Sequence, residues 1–136
     1  MALTEASPRR RIVKAVAEKF KLTLSGTVTA GDAIGYASGW KRALATVGTA
    51  IQSKLIALED GVSGDVIEVT TAAIIGGFSG GTPGGLAYNE EGAGVGGGYT
   101  ETAPSTTNDV NTILGYVLSA SEIFVGPSTR AGSLSA

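Results

Sequence analysis

The chain contains no cysteine and no histidine. Without cysteine there can be no disulfide, thiolate metal site or cysteine nucleophile. Without histidine it lacks the commonest general base near neutral pH and the commonest metal ligand. Ser-His-Asp and Cys-His arrangements therefore cannot be assembled within it. A carboxylate-only or lysine-based mechanism is the enzymatic route that remains, and the expectation is a protein that is not an enzyme and needs no cofactor or metal. Aromatic residues make up only 6% of the chain and charged residues 16%. No apolar run approaches the roughly 20 residues of a membrane span. The opening MALTEASPRRR lacks the charged-then-apolar layout of a secretory signal, so folding in a cytoplasm is expected.

What is abundant is glycine, at 21 of 136 residues. Together with Thr, Ser, Val and Ala it favours short strands joined by tight turns and suits a helical bundle badly. A hydrophobic fraction of 43% argues against wholesale disorder. A chain this long folds as one domain and buries roughly two-thirds of its extended surface.

Charge is unevenly placed. Residues 1–21 carry six basic residues (Arg9, Arg10, Arg11, Lys14, Lys19 and Lys21) against two acidic ones, for +4, while the remainder sums to −6. A basic arm on an acidic body is the clearest electrostatic feature. It reads either as a solvated terminus or as a segment that docks on an acidic partner. Nucleic-acid binding is not expected, because no aromatic platform or second basic patch accompanies it.

Along the chain, Val16, Phe20, Leu22 and Leu24 share one parity, which is strand alternation; a short helix through Ile12, Val13, Val16, Ala17 and Phe20 is the rival pattern. Further strands are expected at Ile34 to Ala37, Lys54 to Leu58, Asp65 to Thr70, Thr71 to Ile75, Val110 to Leu118 and Glu122 to Val125. A weak repeat lies in this layout. Thr29 to Tyr36 aligns with Thr82 to Tyr88, Ser38-Gly39-Trp40 with Gly97-Gly98-Tyr99, and the hairpin Leu55 to Val69 with Leu114 to Val125. The expectation is a mainly β, single-domain barrel or sandwich of about eight short strands, built from two similar β units. An extended basic arm (1–21) precedes the body (22–128), and a loose tail (129–136) follows it.

The run Gly92 to Gly98 superficially suits a phosphate loop, but no helix opens after it and no Walker lysine is present. The acidic pairs Glu59-Asp60 and Glu90-Glu91 are expected to be solvated turn residues. Tyr36, Trp40, Tyr88, Tyr99 and Tyr116 read as core volume or as contacts to another subunit or ligand. A sugar-stacking role for them is the alternative.

The segments GGTPGGLAYNEEG, GGGYTETAPSTTNDV and ILGYVLSASEIFVGPS resemble turn and strand patterns of tailed-phage virion proteins. AGDAIGYASGWKRA and LIALEDGVSGDVIEV are similar to the turns of small capsid decoration, or cement, proteins. The resemblance spans residues 22–128, apart from the glycine loop 89–98. It implies a structural virion protein on the outer capsid surface, partnered by the major capsid protein and trimeric, with neither nucleic acid nor membrane as partner. Arg9, Arg10, Arg11, Ile12, Val13, Lys14 and Val16 of the arm would make the capsid contact. The alternative is a carbohydrate- or receptor-binding module of a fibre or tail.

Overall fold

The computed structural model describes residues 3–5, 11–45, 50–90 and 98–127. Short apolar and β-branched runs, interrupted by Gly, Ser and Asp, form thirteen strands and no helix among the described residues. The first seven are β1 (Thr4–Glu5), β2 (Ile12–Ala15), β3 (Lys19–Thr23), β4 (Ala33–Tyr36), β5 (Trp40–Arg42), β6 (Leu55–Ala57) and β7 (Val66–Thr70). The rest are β8 (Ala73–Gly76), β9 (Phe78–Ser79), β10 (Leu86–Asn89), β11 (Tyr99–Thr100), β12 (Gly115–Val117) and β13 (Glu122–Val125). The expected all-β architecture is present. The count exceeds the expected one because the N-terminal segment and the glycine-rich stretch after β8 add short paired pieces.

One sheet has the order β11-β10-β12-β13-β8-β2, a second has β3-β7-β6-β4-β5, and β1 pairs with β9. All of these strand pairings are antiparallel. The five-stranded sheet curls toward a barrel. Leu24, just past β3, bridges to Trp40 at the head of β5, and the Ser25 N–H donates to the Trp40 carbonyl at 2.9 Å. This curl encloses Leu24, Val28, Ile34, Leu55, Ile67 and Val69.

Because side chains alternate along a strand, Ala33 and Ile56 point the other way from Ile34 and Leu55. They join Ile75, Val117, Ile123 and Val125 in a second core against the six-stranded sheet. β6 is consequently buried along its whole length. Each fully buried Ile or Val of these cores contributes about 1.5–3 kcal/mol of transfer free energy.

The repeat read from the sequence reappears as topology. β3, β4, β5, β6 and β7 are arranged as β3-β7-β6-β4-β5, and β8, β10, β11, β12 and β13 are arranged as β8-β13-β12-β10-β11. The two expected hairpins are β6–β7 and β12–β13. The residue-level match is offset by one position. Tyr36 stands opposite Trp40, whereas Tyr99 stands opposite Asn89 and not Tyr88. A one-residue shift moves a side chain to the other face, and so Tyr99 enters the core between the sheets while Trp40 packs, partly buried, on the other core.

The N-terminal segment is not an arm outside the body. Leu3 lies in the core, β1 pairs with β9, and β2 pairs with β8 over four positions, Ile12↔Gly76 to Ala15↔Ala73. β3 then opens within residues assigned to the arm. The boundary drawn at residue 21 therefore does not separate arm from body. Apolar residues at alternate positions of this segment bury against the second core, which charge counting alone does not reveal. The tail 129–136 lies outside the described residues.

Candidate functional site

Of the residues expected to contact a capsid, Arg9 and Arg10 lie outside the described residues. Arg11 is turned inward, with 2% of its side chain exposed. Its Nη1 donates to Asp32 Oδ1 at 2.5 Å and to the Ala30 carbonyl at 3.4 Å, and its guanidinium sits 5.5 Å from the Tyr99 ring centroid. Asp32 is fully buried and also accepts from Arg42 Nε and from the Thr29 N–H. Arg42 Nη2 donates to Thr29 Oγ1 at 2.8 Å.

Gly31 makes room for this arrangement. It has φ +88°, and a Cβ there would lie 2.7 Å from Arg11 Cδ. A buried charge needs a partner, and here the partners come from the N-terminal segment, the first β unit and, through Tyr99, the second. Arg11 is thus a structural residue and not a surface contact.

Val13 also faces inward, against the second core. Ile12, Lys14 and Val16 remain exposed, Ile12 at 76%.

The aromatic candidates divide as well. Tyr99 is core: its ring meets Phe78 edge-on at 6.2 Å, and its hydroxyl is hydrogen-bonded to Gly31. Trp40 packs on the first core, with Tyr36 T-shaped against it at 5.3 Å. Tyr36 itself is 66% exposed. Tyr88 is half-buried. Tyr116 is 44% exposed and stacks on Phe124 at 5.3 Å. These residues do not form one aromatic platform.

The structure instead assembles a row. Cross-strand register places Lys14, Ile74, Phe124, Tyr116 and Leu86 opposite one another on β2, β8, β13, β12 and β10. They share the outer face of the six-stranded sheet, since their neighbours Val13, Ile75, Ile123, Val117 and Ala87 face the core. On the same face, two positions along in one direction, lies Ile12 on β2, and two positions along in the other lies Tyr88 on β10. Leu118, two residues beyond Tyr116, is also exposed. Glu122 stands on the same row as Ile12, both opposite Gly76.

Gly115 permits the close approach of β12 and β13, because a Cβ there would overlap the Phe124 carbonyl. A contiguous apolar face rimmed by Lys14 and Glu122 is the kind of surface that marks contact with another macromolecule. It unites Ile12 and Lys14 of the expected capsid contact with Tyr88 and Tyr116 of the expected aromatic contacts.

Sequence reading missed Ile74, Leu86, Leu118 and Phe124. Their strands are apolar on both faces, so alternation does not tell inside from outside. The available signal was Tyr and Phe alternating with Val and Ile in GYV and EIFV.

The acidic pair Glu59-Asp60 has structural duties. Glu59 Oε2 accepts from the Glu68 N–H and Asp60 Oδ1 from the Ala30 N–H. Glu91 and Gly92 to Gly97 lie outside the described residues. Comparison with protein-family models, curated proteins and solved structures finds no match. Among the described residues, the class defined by the structure is a small all-β domain that exposes an apolar face on its six-stranded sheet.

Proposed function

We propose that this chain is a structural protein of a tailed-phage particle. It attaches to the outside of the capsid, bracing contacts between major capsid subunits, and acts as a homotrimer. The observation that supports this most is the cross-strand row Ile74–Phe124–Tyr116–Leu86 on the outer sheet face, joined by Ile12 and Leu118. Aromatic residues at the centre of an apolar patch, with charges at its margin, suit a binding surface. The sequence resemblance supplies the kind of partner.

The mechanism is mechanical. Burying this face against assembled shell subunits, and not against free ones, stabilises the assembled state by mass action. Lys14 and Glu122 at the rim set orientation and contribute little affinity, since exposed ion pairs are worth about 0–1 kcal/mol. Three faces on one trimer would add through effective concentration.

Co-sedimentation with empty shells tests the reading, with copy number relative to the major capsid protein measured by mass spectrometry of virions. Absence of the chain from particles would contradict it. A trimer is expected in sedimentation of material released from particles.

A carbohydrate-binding module is the second reading. It is favoured by Tyr36, exposed beside Trp40 on the tight β4–β5 hairpin, where Ser38 and Gly39 both have positive φ. Glycan-array binding without affinity for shells would select it.

A further inference from the structure

The outer face of the six-stranded sheet carries charges of both signs. On β2, β8, β13, β12 and β10 the outward strand positions are uncharged except for Lys14 on β2 and Glu122 on β13. Both side chains are exposed, and among the described residues neither has an ion-pair partner. These strand positions are therefore neutral as a set, with one cation and one anion on an apolar ground. Such a face favours neither a strongly acidic nor a strongly basic surface. It is complementary in charge to a copy of itself.

Register fixes where the two charges stand. Lys14 lies opposite Ile74 on β8, and Glu122 lies opposite Gly76, the next outward position of the same strand. The point midway between them therefore falls over β8, between Ile74 and Gly76. Gly76 raises no side chain there. Ile12, opposite Gly76 from the β2 side, is 76% exposed, the highest value for a large hydrophobic among the described residues. A two-fold axis laid through that midpoint, in the plane of the face, exchanges Lys14 with Glu122 and gathers Ile12, Ile74 and Phe124 around itself.

We propose that in the free chain this face is covered by the same face of a second copy, in a two-fold dimer held in register by two Lys14–Glu122 ion pairs between the copies. In a two-fold interface one patch serves both partners, so Lys14 meeting Glu122 entails Glu122 meeting Lys14. Stacking the two sheets takes Ile12, Ile74 and Phe124 out of water in the manner of a sandwich core. Like charges brought together oppose other orientations, which gives the paired charges their selective effect. A bare apolar face invites unspecific association, and a closed dimer uses it up. The pairing occupies the face assigned above to the shell but does not rest on that assignment. The trimer proposed there is the attached state, in which the face lies on the shell.

The test is sedimentation of the full chain, without shells, across a concentration series. Wild type should form a dimer and nothing larger. Lys14→Glu sets two glutamates at each ionic contact and Glu122→Lys sets two lysines, so each variant should dimerise at least about tenfold more weakly. An equimolar mixture of these two variants should recover wild-type association, because each contact then holds one lysine and one glutamate. The variant with both substitutions should dimerise by itself. Ile12→Ser, at an exposed side chain, should keep the circular dichroism of wild type and weaken the dimer. A free chain that is monomeric or trimeric, single variants that associate like wild type, or a mixture that fails to recover would overturn the proposal. A dimer that follows these charge rules while shells stay bare would uphold the pairing and contradict the attachment reading alone.

Discussion

The Tyr99 hydroxyl donates a hydrogen bond to the carbonyl of Gly31 at 2.7 Å, joining residues 68 positions apart. The Arg11 guanidinium lies against the Tyr99 ring and is paired with Asp32, so three regions of the chain meet at one buried charge cluster. Replacing Asp32 with Ala leaves the Arg11 charge buried without its carboxylate and should cost about 3–5 kcal/mol of stability. Tyr99→Phe, which deprives the Gly31 carbonyl of its donor, should cost about 1–3 kcal/mol. Urea denaturation followed by circular dichroism measures both, and near-wild-type midpoints would show that the cluster does not hold the two units together.

Removing residues 1–15 should destabilise the whole body and not merely detach an arm. The deletion takes away Leu3 from the core, the strand covering β8, and Arg11. Leu3→Ala alone should cost about 2–5 kcal/mol, the usual range for a buried leucine. A truncated chain with native circular dichroism and an unchanged melting temperature would refute this.

Much of the body was legible in the sequence. Period-two alternation and glycine turns located β4, β6, β7, β8 and β13 nearly where they lie, and the repeat anticipated two units of the same strand order. The N-terminal segment was not legible, because RRR next to proline looks like a solvated arm. Only tertiary structure reveals that Arg11 answers Asp32, 21 positions away. The outer face was hidden for a different reason. A strand with apolar side chains on both faces gives the same pattern whether its second face meets a sheet, as for β6, or faces outward, as for β12.

Gly115→Ala should disrupt the pairing of β12 with β13. The added methyl would meet the Phe124 carbonyl and the Val125 backbone, neither of which can move without separating the strands. A cost of about 1–3 kcal/mol is expected from such overpacking. Weaker attachment to shells should accompany it, because the Tyr116–Phe124 stack depends on that close approach. Thermal unfolding checks the first effect, and an unshifted transition would show that the strands tolerate the methyl.

The attachment account turns on the outer sheet face, and a paired substitution tests it with little cost to the fold. Leu86 and Tyr116 stand opposite each other, so Leu86→Lys combined with Tyr116→Glu replaces the apolar centre by an opposite-charge cross-strand pair that a sheet accepts. The measurement is co-sedimentation of this double variant with empty shells across a concentration series, alongside wild type and with melting temperatures compared. The account predicts a folded variant that no longer saturates the shells. Saturation at the wild-type concentration would contradict it.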